Sequence, residues 1–390
     1  MAVLSRVKSQ TIRKRLKLFI ITSTVTLSWL TLLPVKLVQS ETLSPQNLHI
    51  LKLKNRVLKS TSNFTYKIQP KFKYVGSFSE GLASVYIGYR KGYIDKNGRV
   101  AIKPLFDAAE EFSEGLARVS IGDKWGYINR NGQMVIKPQF DSAGEFSQGL
   151  AKVSNGDKWG YIDRVGQIVI KPKFKAVMSF AVDNQAKAVN RQALAPVKLE
   201  QKWGYIDKSG KFVILPKFNQ ASYFSEGMAE VKLGDKWGYI DQSGKLIVQP
   251  IFTQAWKFSE GLALASINHH WGYIDKTGKF AIKPVFQDAG IFSEGLAYVW
   301  KEGKYGYITK TGQMAIPAKF DDVGIFSQGL ARVNINDKWG YIDTTGQIVI
   351  EPQFDHATDF TVDRLGVDQK VKLAWVKIGS QWGYISTSTN

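Results

Sequence analysis

From residue 64 onward, short runs of alternating apolar and polar residues recur at a fixed spacing. Leu116-Ala-Arg-Val-Ser-Ile121 sets Ala117, Val119 and Ile121 on one side and Arg118 and Ser120 on the other, the period-two pattern of a strand. Gly122-Asp123 suits a tight hairpin, because glycine tolerates positive φ. Trp125-Gly-Tyr-Ile128 reads as a second strand, and Asn129-Arg-Asn-Gly132 as a turn that is Asp-x-x-Gly in most other units, such as Asp207-Lys-Ser-Gly210. Gln133-Met-Val-Ile-Lys-Pro138 is a third strand, stopped by a proline that cannot donate to a ladder. An irregular link, Gln139 to Ser147, leads to the next unit. Each unit is thus predicted to be a three-stranded antiparallel meander with almost no helix. The second and third strands are apolar on both faces, so both faces are covered and neighbouring units sandwich one another. Gly126 is expected to let the adjacent unit approach the backbone.

The second strand begins at 91, 125, 159, 203, 237, 271, 305, 339 and 382, nine units mostly 34 residues apart. Phe-Ser-Glu/Gln-Gly-Leu/Met-Ala opens at Phe78, Phe112, Phe146, Phe224, Phe258, Phe292 and Phe326, and Pro-x-Phe recurs in the same order. The expectation is an all-β repeat protein: nine tandem meanders of about 34 residues stacked in a curved solenoid-like array. The alternative is a closed propeller-like ring. In it Asn63–Pro70, which reads as a third strand, completes the final unit, which ends after Trp382-Gly-Tyr-Ile385. Long insertions at 181–201 and 361–381 replace the Ser-Glu-Gly mark after Phe180 and Phe360, and both begin with a Val-Asp pair. They divide the repeats into a first array, 64–203, and a second, 204–390.

Residues 1–40 have a different character. Arg6, Lys8, Arg13, Lys14, Arg15 and Lys17 precede the apolar run Leu18–Leu33, and small residues follow around Val38-Gln39-Ser40. That is the layout of a secretory signal, with cleavage expected after Ser40 and an uncleaved anchor as the alternative. Residues 41–63 form a basic linker. Removing residues 1–40, which hold seven Lys+Arg and no acid, lowers the net charge of the 390-residue chain from +20 to +13. The chain has no cysteine, which excludes disulfides, thiol nucleophiles and thiolate metal sites, and only four histidines.

Lys-Trp-Gly-Tyr-Ile-Asp, followed by x-x-Gly, Ile-x-Pro-x-Phe and Phe-Ser-Glu-Gly-Leu-Ala, resembles the WG-repeat (KWG) family of mainly bacterial proteins. The resemblance covers about residues 64–385, with Lys91 and Tyr305 standing at the tryptophan position. It implies a β-rich repeat scaffold that acts as a binding or interaction module, with no shared catalytic residues.

The recurring polar residues read as structural. Asp95, Asp163, Asp207, Asp241, Asp275 and Asp343 form turns, since one Asp per loop cannot supply the six to eight oxygens of a calcium site. Glu80, Glu114, Glu226, Glu260 and Glu294 share one register, and identical environments do not part their pKa values into acid and base roles. His269 and His270 are adjacent and so point oppositely in a strand, a poor pair of metal ligands. The serine of Phe-Ser-Glu-Gly lacks a Gly-x-Ser-x-Gly elbow and a histidine partner. The repeated tryptophans read as core wedges. The row of basic residues before them (Arg90, Lys124, Lys158, Lys202, Lys236, Lys304, Lys338) reads as a solvated edge that could also meet a polyanion.

Candidate binding residues break the repeat. Tyr298 and Trp300 stand where other units have small or charged residues, and Tyr223 and Trp256 where others have Glu, Gly or Ser, with Ile291 and Ile325 following. Exposed aromatics in consecutive units point to a binding patch on the second half. The function expected is that of an exported, non-catalytic scaffold, periplasmic, envelope-associated or extracellular, that binds another protein through Tyr223, Trp256, Tyr298 and Trp300. The alternatives are a binder of anionic wall or envelope polysaccharide and, less favoured, a glycan hydrolase. No cofactor, metal or nucleic acid is expected, and membrane contact only if the N-terminal segment stays uncleaved.

Overall fold

The computed structural model describes residues 64–183, 192–362 and 372–387. The expected signal and linker, and the middle of both insertions, lie outside them. The described residues form nine small antiparallel sheets and no helix.

The second sheet shows how one unit folds. Leu116–Ile121, Lys124–Asn129 and Met134–Phe140 pair as the expected meander, with Ser120 opposite Trp125. The preceding link is not irregular. Ala108–Ser113 pairs with Leu116–Ile121, so the sheet has four strands rather than three. Ser113 and Leu116 face each other across Glu114-Gly115, whose φ angles are 55° and 81°, a hairpin turn with both central residues left-handed. A glutamate held there costs about 1 kcal/mol or more, and it is retained because its carboxylate reaches the next blade. In the first and seventh sheets the first strand shrinks to isolated bridges, Val75 to Val85 and Ala289 to Val299.

The ends of the array meet. Phe64–Phe72 pairs antiparallel with Gln381–Thr387, in the register Phe64 to Thr387, Thr65 to Ser386 and Tyr66 to Ile385. It becomes the fourth strand of the ninth sheet. The open solenoid-like array is thereby corrected: the chain is a nine-bladed β-propeller. An open stack would leave an apolar face bare at each end, whereas closure buries Phe64 and Ile68. The core says the same. It falls into nine clusters, each straddling two neighbouring blades, and one unites Ile68, Leu373 and Tyr384 of the ninth blade with Val75, Val85 and Ile94 of the first.

The packing wedge is the tyrosine, not the tryptophan. Tyr93, Tyr127, Tyr161, Tyr205, Tyr239, Tyr273, Tyr307 and Tyr341 have no exposed surface. Each donates its hydroxyl to a backbone carbonyl of the following blade, as Tyr127 does to Gly144 at 2.8 Å, and packs with its ring inclined against that blade's phenylalanine, here edge-on to Phe146 with ring centres 4.8 Å apart. The indoles of the Trp-Gly-Tyr-Ile motif are half-buried, except the buried Trp339, and several lie under cations: the Arg118 guanidinium is 5.1 Å from the Trp125 ring. The role of Gly126 also differs from expectation. The pairing jumps from Trp125–Phe140 to Tyr127–Ile136, a bulge that accommodates Pro138. A Cβ on Gly126 would lie 2.4 Å from the Ile136 carbonyl. The close approach is to the unit's own fourth strand, not to the adjacent unit.

Candidate functional site

In a meander of four strands, the first-to-second and third-to-fourth turns share one end of the blade, and the middle hairpin and the inter-blade link share the other. Both ends are latched. On the first, Glu80 accepts from Gly115 N at 3.0 Å, Glu226 from Gly261 N at 3.1 Å and Glu260 from Gly295 N at 3.0 Å, each bond crossing to the next blade. The Asp-x-x-Gly turns are closed from within, since Asp207 accepts from Ser209 N at 2.9 Å and Lys211 N at 3.1 Å. On the second end, four links carry an aspartate that binds the basic residue opening the third strand of the blade before it. Lys124 bonds Asp141 and Lys338 bonds Asp355, both at 2.5 Å, and Arg90–Asp107 and Lys304–Asp321 repeat the pair. The lysine pulls the Asp141 and Asp355 carboxyls below their ordinary range, and an amide of the next hairpin adds to the effect. Arg90, Lys124, Lys304 and Lys338 of the basic row are therefore spent on these pairs.

What the latches leave free lies along the first strands. Two cavities draw residues from the first strands of several successive blades, which places those strands on the inner side of the ring. One, of about 290 Å³, is lined by Trp256, Leu264, Trp271, Ile291, Tyr298 and Ile325, from the sixth, seventh and eighth blades. Trp256 is 54% exposed there. Gly290 makes room for the Tyr298 ring, since a Cβ at 290 would lie 2.3 Å from its Cε1. The other cavity, of about 390 Å³, is lined by Glu110, Glu111, Arg118, Glu145, Lys152 and Tyr223, from the second to the fifth blades. The Tyr223 hydroxyl accepts from Ser179 N at 3.0 Å, and burial raises its pKa.

The model of the WG containing repeat matches residues 62–90, 92–125, 125–159, 159–203, 203–237, 237–268, 271–305, 305–339 and 339–382. The chain belongs to the WG-repeat family. No curated protein matches it. In fold, this WG-repeat chain is similar to a crystal structure of a eukaryotic initiation factor, with TM-score 0.53 and 10% identity over 74% of this chain and 89% of that one. It is also similar to Sqt1 of Saccharomyces cerevisiae, with TM-score 0.42 and 11% identity over 84% and 98%. At such identities the first likeness shows a shared fold alone, and the second carries no argument.

The WG-repeat propeller brings together some of the aromatics singled out from the sequence and separates others. Trp256 and Tyr298, with Ile291 and Ile325, form one cleft. Tyr223 belongs to the polar cavity. Trp300 stands apart, at the opposite strand end. It is the cross-strand partner of Tyr305, ring centres 4.7 Å apart, so an indole on one strand makes up for the one missing at 305. Lys91 is accommodated in the same way, buried with its ammonium 4.8 Å from the Tyr74 ring and 5.4 Å from the Tyr86 ring. His269 and His270 are exposed hairpin residues, and His270 shares a shallow cavity with Trp300. Leu264, Glu111, Glu145 and Glu230 were missed. Leu264 and Glu230 each differ from their equivalents in the other units, whereas Glu111 and Glu145 are the same residue at one register.

Proposed function

We propose that this WG-repeat propeller is a non-catalytic recognition platform whose inner cleft receives an apolar side chain of another protein. One observation carries the reading: Trp256 is more than half exposed whereas the other indoles among the described residues are buried or half-covered, and it opens onto a cleft walled by Leu264, Ile291, Tyr298 and Ile325. Aliphatic Leu264, Ile291 and Ile325 beside the rings of Trp256, Trp271 and Tyr298 suit a hydrophobic anchor, the arrangement of an interface hot spot. The basic start and apolar run of residues 6–33 support export, which would place the partner in the envelope or outside the cell.

A polysaccharide reading is favoured by the same open indole, which could stack on a sugar ring. It loses support where Arg90, Lys124, Lys304 and Lys338 of the basic row are engaged by link aspartates rather than offered to an acidic polymer. A photo-crosslinking residue at position 256 or 298, compared in intact cells with one at the exposed outer residue Leu215, separates the two. A single protein adduct specific to 256 and 298 is expected. Retention of the chain by purified envelope polysaccharide, lost on Trp256→Ala, with no protein adduct, would replace the protein reading by the sugar one.

A further inference from the structure

Resting on that reading of the cleft, we propose that the bound segment carries a lysine or arginine beside its apolar anchor, and that Glu111 and Glu145 receive it. The chain as a whole is strongly basic, at +20, yet its inner strands are not. Glu110, Glu111, Glu145, Asp322 and Asp359 lie on or just after first strands, against Lys257 among the lysines and arginines there.

The cations that reach this side from the second strands are committed elsewhere. Arg118 donates to the Ala143 carbonyl and covers Trp125. Lys152 lies 3.5 Å from the Val177 carbonyl and covers Trp159, and Arg332 donates to the Ala357 carbonyl at 2.8 Å. Arg332 also pairs with Asp359 at 3.1 Å, and Lys91, from the third strand of the first blade, approaches Glu110 at 3.9 Å. Glu111 and Glu145 remain. They occupy equivalent positions on neighbouring blades, are exposed, and form no ion pair among the described residues.

The two carboxylates share their cavity with the Tyr223 ring, which is 39% exposed and fixed by the Ser179 amide. An aromatic face beside carboxylates suits an organic cation. Tyr223 lies two residues past the first strand of the fifth blade, Gln220–Ala221, and Trp256 on that of the sixth, so the polar cavity ends where the apolar cleft begins. The outer strands carry the opposite charge, with Lys103, Lys137, Lys171 and Lys283 exposed at equivalent positions. This segregation turns a basic segment away from the rim and toward the inner face.

The test pans a random-peptide phage library on the intact chain and measures the recovered peptides against variants whose melting is checked to be unchanged. Peptides rich in Lys or Arg next to an aromatic or branched apolar residue are expected. Their affinity should fall about tenfold or more on Trp256→Ala and about fivefold on Glu111→Gln/Glu145→Gln, the latter loss shrinking at high salt. Leu215→Ala should change nothing. Peptides that need Trp256 but show no basic preference and ignore the double glutamine variant would overturn this inference and leave the apolar cleft standing. Recovery of no Trp256-dependent peptide would remove the cleft reading and this inference together.

Discussion

Tyr384 donates its hydroxyl to the Gly76 carbonyl at 2.6 Å, although 308 residues separate them. The bond repeats the one from Tyr239 to the Trp256 carbonyl, 2.8 Å long, between blades adjacent in sequence. In a ring the two junctions are equivalent. In an open array Tyr384 would lie at a free end.

Tyr384→Phe should therefore cost as much stability as Tyr239→Phe, about 1–3 kcal/mol each, because either change strands a carbonyl. Urea denaturation of the two variants checks this. A neutral Tyr384→Phe beside a costly Tyr239→Phe would contradict closure at that seam.

Glu230 gives the propeller a pH dependence. It is 7% exposed, its Oε2 has no partner, and burial pushes its carboxyl up to about 7 from 4.5, opposed by the Ser222 hydroxyl and the Lys257 charge. Because the folded pKa is raised, the unfolded chain ionises first. Stability is then lost as pH rises from the ordinary carboxyl range to about 7 and stays reduced above it. Glu230→Gln removes the penalty, so the variant should gain up to about 3 kcal/mol over the parent at pH 8 and lose that advantage near pH 4. Calorimetric scans at the two pH values measure it, and parallel profiles for parent and variant would refute the assignment.

Asp183 replaces a missing latch. The fourth blade lacks the Ser-Glu-Gly turn, and Asp183, at the edge of its insertion, accepts from Glu226 N at 3.0 Å and from Gly227 N. Glutamates of other units play this part from the turn itself. Asp183→Ala should raise amide exchange in the peptide covering Phe224–Met228 while leaving Phe258–Leu262 unchanged, the loss amounting to about 1–3 kcal/mol of local stability. Unchanged exchange at Gly227 would show that the bond contributes nothing.

Much of this was legible in the sequence. The period, the second and third strands, the Asp turns and the both-sided burial follow from patterns that the fold obeys. The first strand was not. Ala108-Ala-Glu-Glu has little β-propensity, and its hairpin puts Glu114 where Asn or Gly is the usual occupant, so the stretch reads as a link. Missing that strand made a 34-residue unit look too short for a blade and favoured the open array.

The latches left marks that periodicity alone does not decode. Lys124–Asp141 and Lys338–Asp355 share a spacing of 17. Glutamine replaces glutamate at 148 and 328, in the units that precede the two lacking a Ser-Glu-Gly turn amide to bind. Trp300 was misleading because its cross-strand relation to Tyr305 becomes visible only once the hairpin register is known. In the site, Trp256 and Tyr298 stood out by chemistry. Glu111 and Glu145 did not, since charged residues on a repeat surface are ordinary until the surrounding cations are found engaged.

The most direct test of the closed ring uses the absence of cysteine from the chain. Thr65 and Ser386 face each other across the seam, with hydroxyl oxygens 3.1 Å apart. Directly opposed residues of antiparallel strands have Cα atoms about 4.5–5.5 Å apart, within the range a disulfide spans. The Thr65→Cys/Ser386→Cys variant, oxidised mildly at low protein concentration, should form an intramolecular disulfide nearly to completion and melt at a higher temperature than its reduced form. Persistent free thiols, or disulfides formed only between molecules, would show that the ring does not close through this pair of strands.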